Sequence, residues 1–201
     1  MAEASIASFV TIAATLFVAE LTDKDALLLL AISTKVRTRL AFAAGATAFA
    51  ITTTIIIAAG SLIVAVVPVD WVRVAGGVVM LGYGLWEARG LIGEKEVEKE
   101  ESRIARSGSQ WRVFLALVAS LALLDLAGDA TEVLTVVLVA NYGSPLFVFS
   151  SVWVGLVSAA AAEATLGSKL GKLLTPRRLQ VSSAVIFILL GLFIIFLGSI
   201  W

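Results

Sequence analysis

The chain has 201 residues, is 60% hydrophobic and 15% charged, and has a formal net charge of zero; soluble domains are about a quarter charged. It contains neither Cys nor His, which excludes disulfides, thiolate metal sites and imidazole chemistry. The neutral balance gives no reason to expect a nucleic-acid partner.

Mean hydropathy is +1.02, and the apolar residues come in blocks. Leu40 to Val69, Val133 to Ala162 and Leu179 to Trp201 carry no charged residue, and each exceeds the roughly 20 residues a bilayer core requires. A polytopic membrane protein follows, with the lipid bilayer as its first partner. The start, MAEASIASFV, has no basic leader and reads as part of a membrane helix.

Six spans are expected. Helix 1 runs from about Ile6 to Thr34 and is interrupted near Glu20–Asp25. Helix 2 covers about Leu40 to Val67, and Pro68 and Asp70 mark a turn. Helix 3 covers about Trp71 to Ala88. Gly90 to Gln110 is a charged linker, where Glu96–Lys99 and Glu100–Arg103 at i,i+3 support a solvated, partly helical segment. Helix 4 runs from about Trp111 to Ala140, again interrupted by acids. Asn141 to Pro145 form a turn, helix 5 covers about Leu146 to Leu170, and helix 6 about Leu179 to Ile200.

All Lys and Arg residues except Lys24 and Arg73 lie on connections 1–2, 3–4 and 5–6. The positive-inside rule puts these connections in the cytoplasm and both termini outside a cell membrane. The halves also repeat. Asp23 precedes Asp129 by 106 positions, Gly60 precedes Gly167 by 107, and Gly84 precedes Gly191 by 107. Three spans per half give the halves opposite topologies, a common plan of secondary transporters. The expected fold is all-α: residues 1–92 form one three-helix repeat, 93–110 a cytoplasmic linker and 111–201 the inverted second repeat.

Helix 1 carries Glu20, Thr22, Asp23, Lys24 and Asp25; helix 4 carries Asp125, Gly128, Asp129, Thr131 and Glu132. An acid at mid-helix costs roughly 3 kcal/mol on insertion scales, so six would cost on the order of 15–20 kcal/mol if the terms added. The acids must therefore face protein or a wet cavity. At about 100° per residue, Asp125, Asp129 and Glu132 share a face. Thr22-Asp23 and Gly128-Asp129 invite local unwinding, which frees backbone carbonyls as ligands.

One Lys cannot balance six carboxylates, so protons must share the site, and a divalent cation would displace them. Metal–proton exchange follows from that competition. Oxygen donors, with the hydroxyls of Thr22 and Thr131 among them, suit Mg, Ca or Mn rather than Zn or Cu. Glu163 is a seventh acid, placed either to line the access path or to pair with Lys169 or Lys172 near the interface. The run Ser158 to Ala162 allows helix 5 to pack closely against a moving neighbour.

FVAELTDKDALLLLAIS resembles the first signature, E-x-G-D-K-(T/S), of a family of manganese/calcium–proton exchangers that includes Golgi exchangers and bacterial manganese exporters. LAGDATEVLTVVLVANYGSP is similar to its second signature, and the third and sixth helices resemble those of the family too. The resemblance implies a secondary exchanger that exports Mn2+ or Ca2+ for H+, with no resident cofactor and no enzymatic activity. It assigns ion-binding roles to Glu20, Asp23 and Asp129, a charge-offsetting role to Lys24 and a supporting one to Thr131. Asp125 and Glu132 join the metal-binding set through the shared helix face. Thr22 and Asp25 depart from the first signature; Leu126, Ala130 and Glu132 depart from the second. Two other classes are expected to compete: a passive acid-lined cation channel, and an intramembrane aspartyl protease, whose Gly-x-Gly-Asp signature is absent here. Self-association into a homo-oligomer is left open.

Overall fold

A computed structural model of the chain describes residues 3–21, 23–88, 103–104, 108–126, 130–170 and 176–197. The described residues are helical: α1 (Ile6–Glu20), α2 (Lys24–Ser33), α3 (Thr38–Val66), α4 (Val69–Ala88), α5 (Gln110–Leu126), α6 (Ala130–Tyr142), α7 (Pro145–Leu170) and α8 (Pro176–Leu197). Helices occupy the six expected positions among the described residues, with ends shifted by a few residues.

Local chemistry sets the boundaries. The Ser5 side chain accepts from Ser8 N–H at 3.1 Å and caps α1. Pro68 opens α4, with Trp71 N–H bonded to its carbonyl at 3.0 Å. After α6, Gly143 takes φ 60° and its N–H reaches Val139 O at 3.0 Å, the left-handed cap that glycine allows. Pro145 then starts α7.

Spans 1 and 4 are broken where the acids interrupt the apolar pattern. The axes of α1 and α2 are bent by 70°, and those of α5 and α6 by 66°. Each bent pair qualifies as one span, and α3 and the 145–167 part of α7 qualify unaided. Charges at Asp70, Arg73 and Glu87 dilute α4, and α8 has a shorter apolar stretch, Ala184–Phe196. These two make the most extensive helix pair in the bundle.

The packing obeys the repeat. A Cβ added at Gly60 would stand 3.5 Å from Val136 Cα, and one at Gly167 would stand 2.9 Å from Leu30 Cα; Gly60 and Gly167 are repeat mates, as are Leu30 and Val136. A Cβ at Gly84 would meet Ile188 N at 2.9 Å and Ala184 O at 3.0 Å. One at Gly191 would meet Leu81 N and Gly77 O, both at 2.9 Å. Every partner in the second set is the mate of one in the first. The α3–α6 and α7–α2 contacts are thus a symmetric pair, and the antiparallel α4–α8 crossing is symmetric with itself, as a pseudo-twofold axis requires.

The surface is inverted relative to a soluble protein. Leu62, Val66, Leu146 and Phe196 are each more than 70% exposed, whereas Glu20 and Asp23 are fully buried. Trp71, Trp86 and Trp111 project outward at helix ends, where aromatic side chains sit at a lipid–water boundary. Hydroxyls along the spans, among them Ser33, Thr47, Thr54 and Thr165, donate to the carbonyl four residues earlier, so they need no water.

Most of the linker, including the expected pairs at Glu96–Lys99 and Glu100, lies outside the described residues. Arg103 donates from Nη2 to Ser120 Oγ at 3.1 Å, and Ile104 is fully buried. The linker's end therefore folds back onto α5.

Candidate cation site

The acids collect at the two helix breaks. Glu20 is the last residue of α1, Asp23 immediately precedes α2, and Asp25 is in the first turn of α2. Their exposures are 0%, 0% and 1%. Asp23 N–H reaches back to Glu20 O at 3.0 Å, a tight link that holds both carboxyls at the break. The Tyr83 hydroxyl of α4 approaches Asp23 Oδ1 at 3.5 Å and donates to it. Tyr83 is fixed in turn by an edge-to-face contact with Phe187 of α8, centroids 5.3 Å apart. Thr22 lies outside the described residues, as does the side chain of Lys24.

In the second half Asp125, 3% exposed, lies in the last turn of α5, and Glu132 lies in the first turn of α6. Asp129 lies outside the described residues. Asp125, Thr131 and Glu132 line one small compartment together with Thr52, Thr53 and Thr135. Its free volume is about 10 Å³, room for about one water-sized body.

Thr52, Thr53 and Thr135 were not among the sequence candidates. Thr52 Oγ1 donates to Ala48 O at 3.2 Å, and Thr135 Oγ1 donates to Thr131 O at 2.8 Å. Each hydroxyl proton is engaged by its own helix, which leaves oxygen lone pairs for the compartment. Two carboxylates and several hydroxyl oxygens make a hard donor set, suited to a divalent ion of the Mg, Ca or Mn type. The signal available in the sequence was the polar run Thr52-Thr53-Thr54 in an otherwise apolar helix. Thr54 of that run is exposed, so helical phase separates it from its neighbours.

The structure thus brings together Asp125, Thr131 and Glu132, and it places Glu20, Asp23 and Asp25 at the matching break. Among the described residues, no group of three or more acids forms a ready-made metal cage. Glu163 on α7 is 0% exposed; the side chains of Lys169 and Lys172, its expected partners near the interface, lie outside the described residues. A separate cavity of about 110 Å³ between α1, α6 and α8 is lined mostly by apolar groups, with Thr11, Thr15, Arg73, Asn141 and Tyr142 as its polar members and no acid. It is not suited to holding a cation.

Small residues let the helices close around these groups. A Cβ on Gly45 would lie 3.2 Å from Ala160 Cβ, and one on Gly155 would lie 3.0 Å from Leu16 Cβ. The Ser158–Ala162 run of α7 accordingly packs close, with Ala159 and Ala160 fully buried.

The family model described as "Divalent cation/proton antiporter GDT1" matches residues 8–94 and 113–199, one segment on each repeat. No curated protein matches the chain. No solved structure matches it either.

Proposed function

The chain belongs to the divalent cation/proton antiporter GDT1 family, a family of transporters and not of enzymes, and from that premise we propose that it exports Mn2+ or Ca2+ from the cytoplasm in exchange for H+. The observation that carries this reading is the burial of Glu20, Asp23 and Asp125 at two helix breaks of a chain whose outer surface is apolar. Carboxylates at such a depth mark an ion path. Their competition for protons and metal is the chemistry of an antiporter.

In this reading Glu20, Asp23, Asp125, Asp129 and Glu132 bind the ion, with Thr131 beside them, and Lys24 offsets their charge when the metal is absent. Oxygen-only donors favour Mn2+ and Ca2+ over softer ions. The distribution of Lys and Arg supports a cell-membrane orientation with both termini outside and residues 93–110 in the cytoplasm.

Among the described residues the two halves differ most in one contact, which supports alternating access. α4 packs on α6, whereas among the described residues α8 makes no comparable contact with its repeat counterpart, α2. An inverted repeat reaches its opposite-facing state by exchanging such contacts between halves.

The test is reconstitution into liposomes with an imposed pH gradient. Uphill Mn2+ or Ca2+ movement driven by protons is expected, and it separates an antiporter from a passive channel. Asp23→Asn and Asp125→Asn should each abolish it. Absence of flux for both metals, or unchanged flux in both variants, overturns the reading.

A further inference from the structure

The repeat assigns a position to Glu163 that its own helix does not reveal. With an offset of 107, Glu163 on α7 is the mate of Ile56 on α3. Ile56 lines the compartment that holds Asp125, Thr131 and Glu132. With the offset of 106 that relates the first span to the fourth, the mates of those three residues are Ala19, Asp25 and Ala26. All three are buried, at 0%, 1% and 0% exposure. The α7–α2 contact follows the same symmetry, since one turn beyond Glu163 the backbone of Gly167 abuts Leu30. Glu163 therefore stands in the first-half counterpart of the compartment, beside α2.

Its surroundings are unusual for an acid. It is 0% exposed, and neither carboxyl oxygen has a hydrogen-bond partner among the described residues. Packing does not call for a carboxyl here, because the other half fills the equivalent place with Ile56. The neighbouring positions on α7 are no substitute: the mates of Thr52 and Thr53 are Ala159 and Ala160, so this counterpart lacks the hydroxyl oxygens that would share a cation with Glu163. A fully buried carboxyl that accepts no hydrogen bond is tolerated in an apolar wall as the neutral acid, with a proton on one oxygen.

The titratable groups at this depth on the elements packed against α7 are Glu20 on α1, Asp23 and Asp25 at the start of α2, and Glu132 on α6; Lys24 also belongs to α2. α3 carries none between Leu40 and Val66.

We propose that Glu163 carries the proton exchanged for the metal, at a position separate from the metal cradle. This rests on the antiport reading above. The Glu163 O–H gives its proton to water on the cytoplasmic side, and the carboxylate left behind adds negative charge near the cradle as the cation enters. When the metal leaves on the other side, a proton returns to the same oxygen. The cradle then needs Glu163 for coupling and not for holding the ion.

The experiment uses the full chain in liposomes with Mn2+, and it reads two quantities. One is Mn2+-for-Mn2+ exchange at equal pH; the other is proton movement driven by a Mn2+ gradient. In Glu163→Gln, exchange should continue within about two-fold, while driven proton movement should fall by about ten-fold or more, within the range of ordinary coupling factors. Glu163→Ile, which installs the residue of the other half, should behave as Gln does, and Glu163→Asp should restore coupling. The proposal is overturned if Glu163→Gln keeps its proton movement, or if both quantities fall together, as they would for a metal ligand or a packing residue. Absence of Mn2+ exchange in the unmodified protein would instead remove the transport reading on which the proposal rests.

Discussion

Trp153 donates its indole Nε1–H to the carbonyl of Ala46 at 3.2 Å, and the two residues, 107 positions apart, are each other's repeat mates. A contact between mates lies on the pseudo-twofold axis. Exchanging the conformations of the two halves leaves such a contact in place, so α3 and α7 form the fixed part of the bundle at this level. Trp153→Phe removes the donor and keeps the ring. It should lower stability by about 0.6 kcal/mol, typical of hydrogen bonds within membranes, seen as a small fall in melting temperature in detergent, and it should leave transport intact.

The α4–α6 contact is off the axis and should behave differently. A Cβ built on Gly76 lies 3.9 Å from Val137 Cβ, within the spacing a disulfide requires. The chain has no other Cys, so the double variant Gly76→Cys, Val137→Cys can form only this bridge. Oxidation should tie α4 to α6 and stop metal exchange, and reductant should restore it. Unimpeded transport in the oxidised form would show that this contact does not open during the cycle.

Glycines at the α4–α8 crossing are expected to be intolerant for a steric reason. A Cβ on Gly84 or Gly191 would meet backbone atoms of the other helix at 2.9–3.0 Å, and backbone cannot turn aside. Gly84→Ala and Gly191→Ala should each destabilise by about 1–3 kcal/mol, the usual cost of overpacking. Gly82, on the same helix, has nothing within 4 Å of its added Cβ. Gly82→Ala should be neutral, or stabilising by up to about 1 kcal/mol through helix propensity. Thermal melts of the three variants in one detergent check the order.

The spans, the two breaks and the inverted repeat were legible in the sequence because each interrupts or repeats an apolar pattern. Acids such as Asp23 and Asp125 cannot lie in lipid, so their positions announce both the break and the interior. Tyr83 and Thr52 carried no such signal. A Tyr near a helix end reads as an interfacial anchor, and a Thr in a membrane helix satisfies itself on its own backbone. Their place beside the acids depends on which face of α3 and α4 turns inward, and that is set by close approaches such as Gly60 on Val136 and Gly77 on Ile195. Glu163 was legible as an acid on the access path or near the interface; its full burial depends on how α7 packs, which no single residue announces.

Thr52 provides the sharpest test of the compartment in the second half. Its Oγ1 proton is held by Ala48 O, and the residue is 1% exposed against Asp125, Thr131 and Glu132. Thr52→Val keeps shape and volume but removes the oxygen. If the compartment takes the metal, this variant loses one hard donor without opening a cavity. Apparent affinity for Mn2+ or Ca2+ should weaken by about ten-fold, the scale of a supporting oxygen around a metal. The melting temperature without metal should stay put, because the lost bond is only to its own helix. The measurement is the metal-induced rise in melting temperature, titrated in both proteins. The mate of Thr52 is Ala159, so Ala159→Thr adds an oxygen to the first half alone, and it should not compensate for Thr52→Val. Equal titrations for Thr52→Val and the unmodified chain would place the bound ion elsewhere.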